Sequence, residues 1–286
     1  MRFLKSLLFS AALLGLGAGC SAPKSLLWEI SHEKLEQPSY LFGTVHMIGE
    51  SKFILKENAE AALAASDQLV LELNPQSPAV QQAAMASMLL TDDKTLQSLL
   101  GDDFSSVAKV FSDSFSIDLN QMNRIKPFFV VMSVLPKLVG EPVKSYEMVF
   151  LERANKRGID VLELETAAQQ FAALEELTQE KYAELMTEFA MDLNDQRRQF
   201  ANLVRLYLAG DLNGLRKASI EEEDMAEFNE AILVKRNRNW IPLIENFIAE
   251  ESSFIAVGAG HLPGKTGVIK LLQKAGYSVK PLPSSR

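Results

Sequence analysis

Short apolar runs recur along the chain and are bounded by turn-forming residues. The first two, at 25–31 and 40–45, are separated by Pro38 and Ser39, which predicts a β-hairpin. Further runs of this kind predict strands at 68–73, 158–165, 253–257 and 277–282. The last two strands, with a helix predicted over 266–275 between them, form a strand–loop–helix–strand unit. That unit favours an α/β fold with a central mixed sheet, and α+β is the alternative.

Helical patterning fills most of the remaining chain. Residues 51–66 carry alanines and spaced leucines, and the stretch from about 77 to 250 is rich in Ala, Leu, Glu, Gln and Met, which are good helix formers. A core strand predicted near 159–165 interrupts this stretch. We therefore expect one domain over 20–286, in which both ends of the chain build the sheet and a large helical insertion separates them.

Prolines and glycines predict where the helices break. Pro127 and Pro136 interrupt the apolar stretch 123–139, so two helical pieces are expected there. Gly210 and Gly214 mark a break within the last part of the helical stretch.

The composition argues against a nucleic-acid partner and against a transmembrane helix after the N-terminal segment. The chain has 286 residues, a formal net charge of −8, 47% hydrophobic and 23% charged residues, as in ordinary globular proteins. It carries no clustered basic face of the kind that binds phosphate, so no nucleic-acid partner is expected. Beyond the N-terminal segment there is no run of about eighteen apolar residues, so no later transmembrane helix is expected.

The N-terminal segment has the pattern of a signal peptide. Arg2 and Lys5 precede an apolar stretch, and small residues lead to Cys20, the only cysteine. We expect residues 1–19 to be removed and Cys20 to be lipidated, as in bacterial lipoproteins, with ordinary secretory cleavage as the alternative. Because Ser21 follows the cysteine, the lipoprotein sorting rule predicts an outer-membrane anchor with the body of the protein facing the periplasm.

Two of the three histidines follow similar apolar runs. Tyr40–Val45 leads through Gly43 to His46, and the run beginning at Phe254 leads through Gly258 and Gly260 to His261. A histidine at the end of a buried strand is held by the strand and reachable from the loop, so it suits metal binding or proton transfer. A structural role for each histidine is the alternative, but the pair indicates one site assembled from both ends of the chain.

Charged residues inside apolar segments are further candidates. Glu72 and Glu165 lie within predicted buried strands, where a carboxylate needs a cationic, metal or hydrogen-bonding partner; the alternative is a glutamate that faces water. Glu163 lies two residues before Glu165 and shares its face of the strand. Arg236 lies on a predicted helix, where an exposed basic patch is the alternative. No Gly-x-Ser-x-Gly, His-Glu-x-x-His, P-loop or dinucleotide fingerprint occurs.

These pieces together resemble a known family. The chain is similar to the TraB/GumN family, which also includes the TIKI metalloproteases and the pheromone-shutdown proteins, in the order and spacing of five motifs from Leu26 to Leu282. The motifs are Gly-Thr-Val-His (43–46), Leu-Glu-Leu (71–73), Leu-Glu-Thr (164–166) followed by Gln169, Arg236-Asn237, and Gly-Ala-Gly-His-Leu-Pro-Gly (258–264).

The resemblance implies a fold and a site. It implies an α/β core related to the erythromycin-esterase and ChaN-like folds, and a site built from His46, Glu72, Glu165, Arg236 and His261. The TIKI branch implies metal-dependent peptide cleavage at these residues. One departure is that the family's Gly-x-Asp, before the helix that precedes the Leu-Glu-Thr strand, is Ser145-Tyr146-Glu147 here. If that Asp contributes to the site, Glu147 is a longer substitute.

Two main hypotheses follow, with the same residues in each. In the first, the chain is an envelope peptidase or amidase: His46, His261 and Glu72 or Glu165 bind one Zn, Mn, Co or Fe ion, and the other carboxylate is the general base. Arg236 holds a substrate carboxylate or the developing oxyanion. In the second, the same pocket binds a peptide or another envelope component without turnover. The expected substrate contacts are Thr44, Asn237, Gly258 and Gly260. A third possibility is an interaction module that docks a partner through its helices.

Overall fold

The computed structural model describes residues 24–220 and 226–283. The predicted signal segment 1–19 and Cys20 lie outside these residues. Within them a six-stranded sheet and a two-stranded sheet are surrounded by helices. The strands are β1 (Leu27–Ser31), β2 (Ser39–Thr44), β3 (Ile48–Gly49), β4 (Gln68–Leu71), β5 (Val143–Lys144), β6 (Asp160–Glu163), β7 (Ser253–Gly258) and β8 (Ser278–Pro281).

The helices connect these strands and form the insertion. In chain order they are α1 (Glu57–Ala65), α2 (Pro78–Ser87), α3 (Leu96–Leu100), α4 (Phe104–Phe115), α5 (Pro127–Val139), α6 (Tyr146–Arg157), α7 (Ala167–Leu174), α8 (Gln179–Met191), α9 (Leu193–Leu208), α10 (Leu212–Ile220), α11 (Ala226–Asn229), α12 (Arg236–Glu250) and α13 (Val268–Lys274). A π-helical segment, Glu230–Lys235, joins α11 to α12. None of the helices that the structure describes is both long enough and apolar enough to cross a membrane.

The large sheet has the strand order β6-β4-β7-β2-β1-β8. The strands β6, β4, β7 and β2 run parallel, whereas β1 pairs antiparallel with β2 and β8. The strand β7, from the C-terminal part of the chain, therefore lies between β4 and β2, which come from the N-terminal part. The predicted α/β fold with a central mixed sheet and the predicted β1–β2 hairpin are both confirmed.

Burial explains why these strands form the centre of the molecule. Every residue of β4 and β7 is buried, as expected for parallel strands that are covered on both faces. Against this sheet α6 places Phe150, whose ring centroid lies 5.3 Å from that of Phe42 on β2 and 4.9 Å from that of Phe254 on β7. These aromatic contacts hold α6 against β2 and β7, the two middle strands of the sheet.

One predicted helix break is wrong, and the other lies at Gly210 but not at Gly214. Residues Pro127–Val139 form one helix, not two pieces: Pro127 occupies its first turn, where no backbone N–H is needed, and Pro136 lies in its last turn. Apolar packing of α5 through residues such as Val130, Val134 and Leu138 is compatible with the single lost hydrogen bond. Gly210, with φ of 65°, does end α9, but Gly214 lies inside α10.

Candidate active site at the carboxyl edge of the sheet

The parallel strands bring the four predicted acidic and histidine residues to one edge of the sheet. Glu72 follows β4 directly, Glu165 and His46 come two residues after β6 and β2, and His261 comes three residues after β7. Since these strands run in the same direction, their carboxyl ends meet at that edge, where α/β proteins bind ligands. The strand register places Thr44 opposite Gly258, so the two histidine loops leave the sheet side by side.

Arg236, the first residue of α12, enters this edge and joins its two carboxylates. Its Nη2 lies 2.5 Å from Glu72 Oε2 and 2.5 Å from Glu165 Oε1, and its Nε lies 2.9 Å from Glu165 Oε2. Nη1 donates to the Ile232 carbonyl oxygen at 2.8 Å and lies 3.4 Å from His261 Nε2. The side chain is only 13% exposed, so Arg236 does not form an exposed basic patch.

The two carboxyls that share Arg236 have pKa values shifted in opposite directions. Burial alone would raise the pKa of Glu72, but Arg236, the two histidines and the Gly258 N–H lower it to about 2. For Glu165, burial outweighs the guanidinium and the pKa is raised above its usual value. Paired carboxyls with opposite shifts are typical of acid–base sites, where one group stays ionised and the other exchanges a proton.

His261 is buried and held on two sides. Its Nδ1 lies 2.6 Å from Asn237 Oδ1, and its Nε2 lies 3.7 Å from Glu72 Oε1. The indole of Trp240 packs on the ring with a centroid separation of 4.4 Å. Burial, together with the nearby positive charge of Arg236, lowers the pKa of His261 to about 3. The imidazole is therefore neutral at physiological pH.

His46 is held by Glu147 in an analogous way. Its Nδ1 lies 2.8 Å from Glu147 Oε1, which also accepts from Thr44 Oγ1 at 2.5 Å, while Ser145 Oγ donates to Glu147 Oε2 at 2.6 Å. Desolvation would lower the pKa of His46, but Glu147 raises it to about 9. Half of the His46 side chain is exposed, so this ion pair is screened by water and contributes little to stability. Glu147, the longer substitute for the aspartate expected at this position, therefore contacts His46 Nδ1 directly.

Gly258 leaves a small space on which the candidate ligands converge. A Cβ at this position would lie 3.4 Å from Glu72 Oε1, 3.6 Å from His261 Cδ2 and 3.7 Å from His46 Nε2. Its φ of −50° is ordinary for any residue, so glycine matters here for room and not for backbone freedom. The Gly258 N–H donates to Glu72 Oε1 at 2.7 Å.

Within residues 24–220 and 226–283, no group of three or more His, Cys, Asp or Glu side chains is placed so that it could hold a metal ion. The donor types nevertheless fit a divalent ion. Both histidines have Nδ1 engaged, as is usual for metal-binding imidazoles, and an ion at His46 Nε2 would have to displace the proton that the raised pKa keeps there at neutral pH. Glu72 pairs with Arg236 through Oε2 and faces the space above Gly258 through Oε1.

The residues expected to contact substrate are buried or hydrogen-bonded to other residues of the site in this structure. Thr44 is fully buried and bonded to Glu147. Asn237 is buried and bonded to His261 and to two carbonyl oxygens. Gly260 is buried in the short 3₁₀ turn that carries His261, and the N–H of Gly258 is taken by Glu72. In this structure the Thr44 hydroxyl, the Asn237 amide and the Gly258 N–H are thus bonded to other residues of the site.

Sequence reasoning missed several site residues. Gln170 Nε2 donates to Glu165 Oε1 at 3.0 Å, whereas the motif residue Gln169 completes a capping box with Thr166 at the start of α7. Trp240 packs against both His261 and the Arg236 guanidinium, 4.8 Å from its ring. The signal for Trp240 was its place one helical turn after Arg236. Glu163, by contrast, accepts from the Asn74 N–H and stays outside the site.

Comparison with known proteins shows a family match over most of the chain. A family model described as TraB/PrgY/gumN matches residues 26–281. The Metalloprotease TIKI homolog of Amphimedon queenslandica is 26% identical over 90% of this chain and 61% of its own length, and Metalloprotease TIKI1 of Xenopus tropicalis is 23% identical over 92% and 62%. The chain thus spans less than two thirds of these relatives. No solved structure matches it significantly. The extent of the family match shows that the chain belongs to the TraB/PrgY/gumN family.

Proposed function

We propose that the chain is a metal-dependent hydrolase of peptide or amide bonds. The observation that carries this proposal is the convergence of His46 Nε2, His261 and Glu72 Oε1 on the space above Gly258. Two imidazoles and one carboxylate are a common ligand set of hydrolytic and redox metals. The names of the relatives, which are metalloproteases, agree with it.

His46, His261 and Glu72 would hold the ion, and Zn, Mn, Co and Fe all suit these donors. When bound, such an ion acts as a Lewis acid and lowers the pKa of a coordinated water to about 7. Glu147 and Asn237 hold the rings so that both Nε2 atoms face inward. The depressed pKa of Glu72 keeps it ionised, as a ligand requires.

Glu165 is the proposed general base. Its Oε1 accepts bonds from Arg236 and Gln170, whereas its Oε2, within residues 24–220 and 226–283, accepts from Arg236 Nε alone. Oε2 therefore has a free lone pair with which to take a proton from the attacking water and return it to the leaving amine. The raised pKa brings this carboxyl nearer to neutral pH, where a base can both accept and release a proton.

Arg236 fixes the two carboxylates. Its Nε and Nη2 are bonded to Glu72 and Glu165, and Nη1 donates to the Ile232 carbonyl oxygen, so Arg236 is held in place by both carboxylates and by the backbone. We propose that its positive charge balances Glu72 and Glu165 and holds them in place during the reaction.

The proposed setting is the bacterial envelope. A lipid on Cys20 would anchor the chain in the outer membrane facing the periplasm, and the substrate would be a peptide or a small envelope-derived molecule. The proposed relation of the core to the erythromycin-esterase and ChaN-like folds rests on the family resemblance.

The test is cleavage of a peptide library by the purified protein with added Mn, Co or Zn. Glu165→Gln should lower cleavage by about 10² to 10⁴-fold, because it removes the general base, and should leave metal content unchanged. Glu163→Gln is the matched control, since it makes the same change two residues earlier and outside the site. Equal cleavage by Glu165→Gln and wild type would contradict the assignment. Binding of peptides without metal and without cleavage would favour the non-catalytic binding protein instead.

A further inference from the structure

Asn237 has all of its side-chain hydrogen-bonding groups committed inside the protein. It is only 3% exposed. Its Nδ2 donates to the carbonyl oxygens of Thr266 at 2.9 Å and His261 at 3.3 Å, and its Oδ1 lies 2.6 Å from His261 Nδ1. A buried amide with every group paired has one defined orientation.

That orientation decides which ring nitrogen of His261 carries the proton. An amide nitrogen only donates and an amide oxygen only accepts. Because the two backbone carbonyls require donors, Nδ2 must face them and Oδ1 must face the ring. Nδ1 of His261 therefore has to be the donor, and in a neutral imidazole Nε2 is then the unprotonated nitrogen.

We propose that Asn237 is a positioning residue that holds His261 as its Nδ1–H tautomer and so directs the Nε2 lone pair into the site. In this arrangement Nε2 faces Glu72 Oε1 at 3.7 Å and an Nη1 of Arg236 at 3.4 Å. A free imidazole in water favours the other tautomer, Nε2–H, which would point a proton at the space above Gly258.

The surrounding structure fixes the ring as well as the tautomer. Trp240 covers one face of His261, and the bond from Asn237 to Thr266 ties α12 to the far end of the glycine-rich loop. Asn237 thus sets both the direction of the ring and the position of the loop that carries it. The use of this tautomer for metal binding rests on the proposed function, whereas the tautomer itself does not.

The direct experiment is nitrogen NMR of the metal-free full-length protein labelled with ¹⁵N-histidine, which has only three histidines to assign. Wild type should show His261 with Nδ1 protonated and Nε2 unprotonated. Asn237→Leu removes the acceptor and should shift His261 towards the Nε2–H form. Asn239→Leu, on the exposed side of the same helix, is the matched control and should match wild type.

The outcomes separate this proposal from the proposed function. Wild-type His261 in the Nε2–H form would overturn the tautomer assignment even if Asn237→Leu fails to fold. An unchanged tautomer in a folded Asn237→Leu would overturn the role of Asn237. If the tautomer is as stated, Asn237→Leu should also bind Mn or Zn about 10- to 100-fold more weakly, since outer partners of metal ligands have effects of this size. A wild type that binds no metal but shows the Nδ1–H tautomer would contradict the proposed function and support this inference.

Discussion

Arg236 is the residue on which the charge balance of the site depends. Glu72 and Glu165 are each less than 10% exposed, and among the residues that the structure describes no other lysine or arginine is bonded to them. Removing one partner of a buried ion pair is strongly destabilising, because the remaining charge stays buried without compensation. Two carboxylates sharing one guanidinium make this dependence larger than for a simple pair.

We predict that Arg236→Met lowers the free energy of unfolding of the metal-free protein by about 2–4 kcal/mol. Protonation of Glu165, whose pKa is already raised, limits the loss. Urea unfolding measures it, and Arg238→Met is the matched control: it lies two residues along the same helix, and its ion pair with Glu230 is exposed. The control should change by less than about 1 kcal/mol. Equal effects of the two substitutions would contradict the buried network.

At the scale of single residues, the sequence predicted the reactive side chains of the site but not the residues that hydrogen-bond to them. His46, His261, Glu72 and Glu165 stand out as titratable residues in apolar or glycine-rich settings, whereas their grouping with Arg236 into one site followed from the family resemblance. The hydrogen bonds of Asn237 to His261 and of Gln170 to Glu165 could not be predicted from the sequence. Their roles arise only when α12 and α7 pack beside the strand ends, and short-range patterns do not contain that packing.

Among the elements, the ends of β2 and β7 show how closely the backbone is packed at the site. A Cβ at Gly43, near the end of β2, would lie 3.1 Å from Ala259 Cα, tighter than ordinary contacts. A Cβ at Gly258, at the end of β7, would make only ordinary contacts. The first glycine therefore serves the fold, whereas the second keeps the site open.

We predict that alanine at Gly43 lowers stability, whereas alanine at Gly258 weakens metal binding. Gly43→Ala should lower the free energy of unfolding by about 1–3 kcal/mol, because the backbone near Ala259 must shift. Gly258→Ala should change it by less than about 1 kcal/mol, since its φ suits alanine. The methyl group should nevertheless weaken binding of Mn or Zn by filling the space between Glu72 and His46. Urea unfolding and metal titration of both variants test this, and tight metal binding by Gly258→Ala would contradict the location of the site.

The sequence predicted the elements better than their junctions. Strands of the sheet were predicted within a few residues, because apolar runs between turn residues are a strong signal. The strand predicted to extend to 165 ends at Glu163, since Thr166 and Gln169 begin a capped helix. The π-helical segment before Arg236 was not predictable. Such segments commonly occur at functional sites, and their register depends on tertiary contacts.

On the scale of the whole molecule, the position of β7 joins the two ends of the chain. It pairs with β2 on one side and β4 on the other, so His261 lies beside His46 and Glu72 although about two hundred residues separate them in sequence. The recurrence of a histidine after each apolar run predicted a shared site. The strand order that produces it is a long-range pairing, which local patterns do not specify.

We predict that the chain is held at a membrane through Cys20. Cys20→Ser should move the protein from the membrane fraction to the soluble fraction of an expressing Gram-negative cell, because the lipid is attached to that thiol. The Cys20→Ser protein should fold and bind metal as wild type does, since the site lies within residues 46–261. Fractionation followed by immunodetection measures this, and retention of the variant in the membrane would contradict the anchor.

The most direct test of the whole account is the metal stoichiometry and affinity of the purified protein. We predict that wild type binds about one divalent ion per chain, and that His46→Ala and His261→Ala each weaken that binding strongly, because each removes one of the imidazole ligands. His32→Ala is the matched control: His32 lies on the first hairpin, away from the site, and its variant should bind as wild type does. Equal metal binding by all four proteins, or none by wild type, would contradict the proposed metal site.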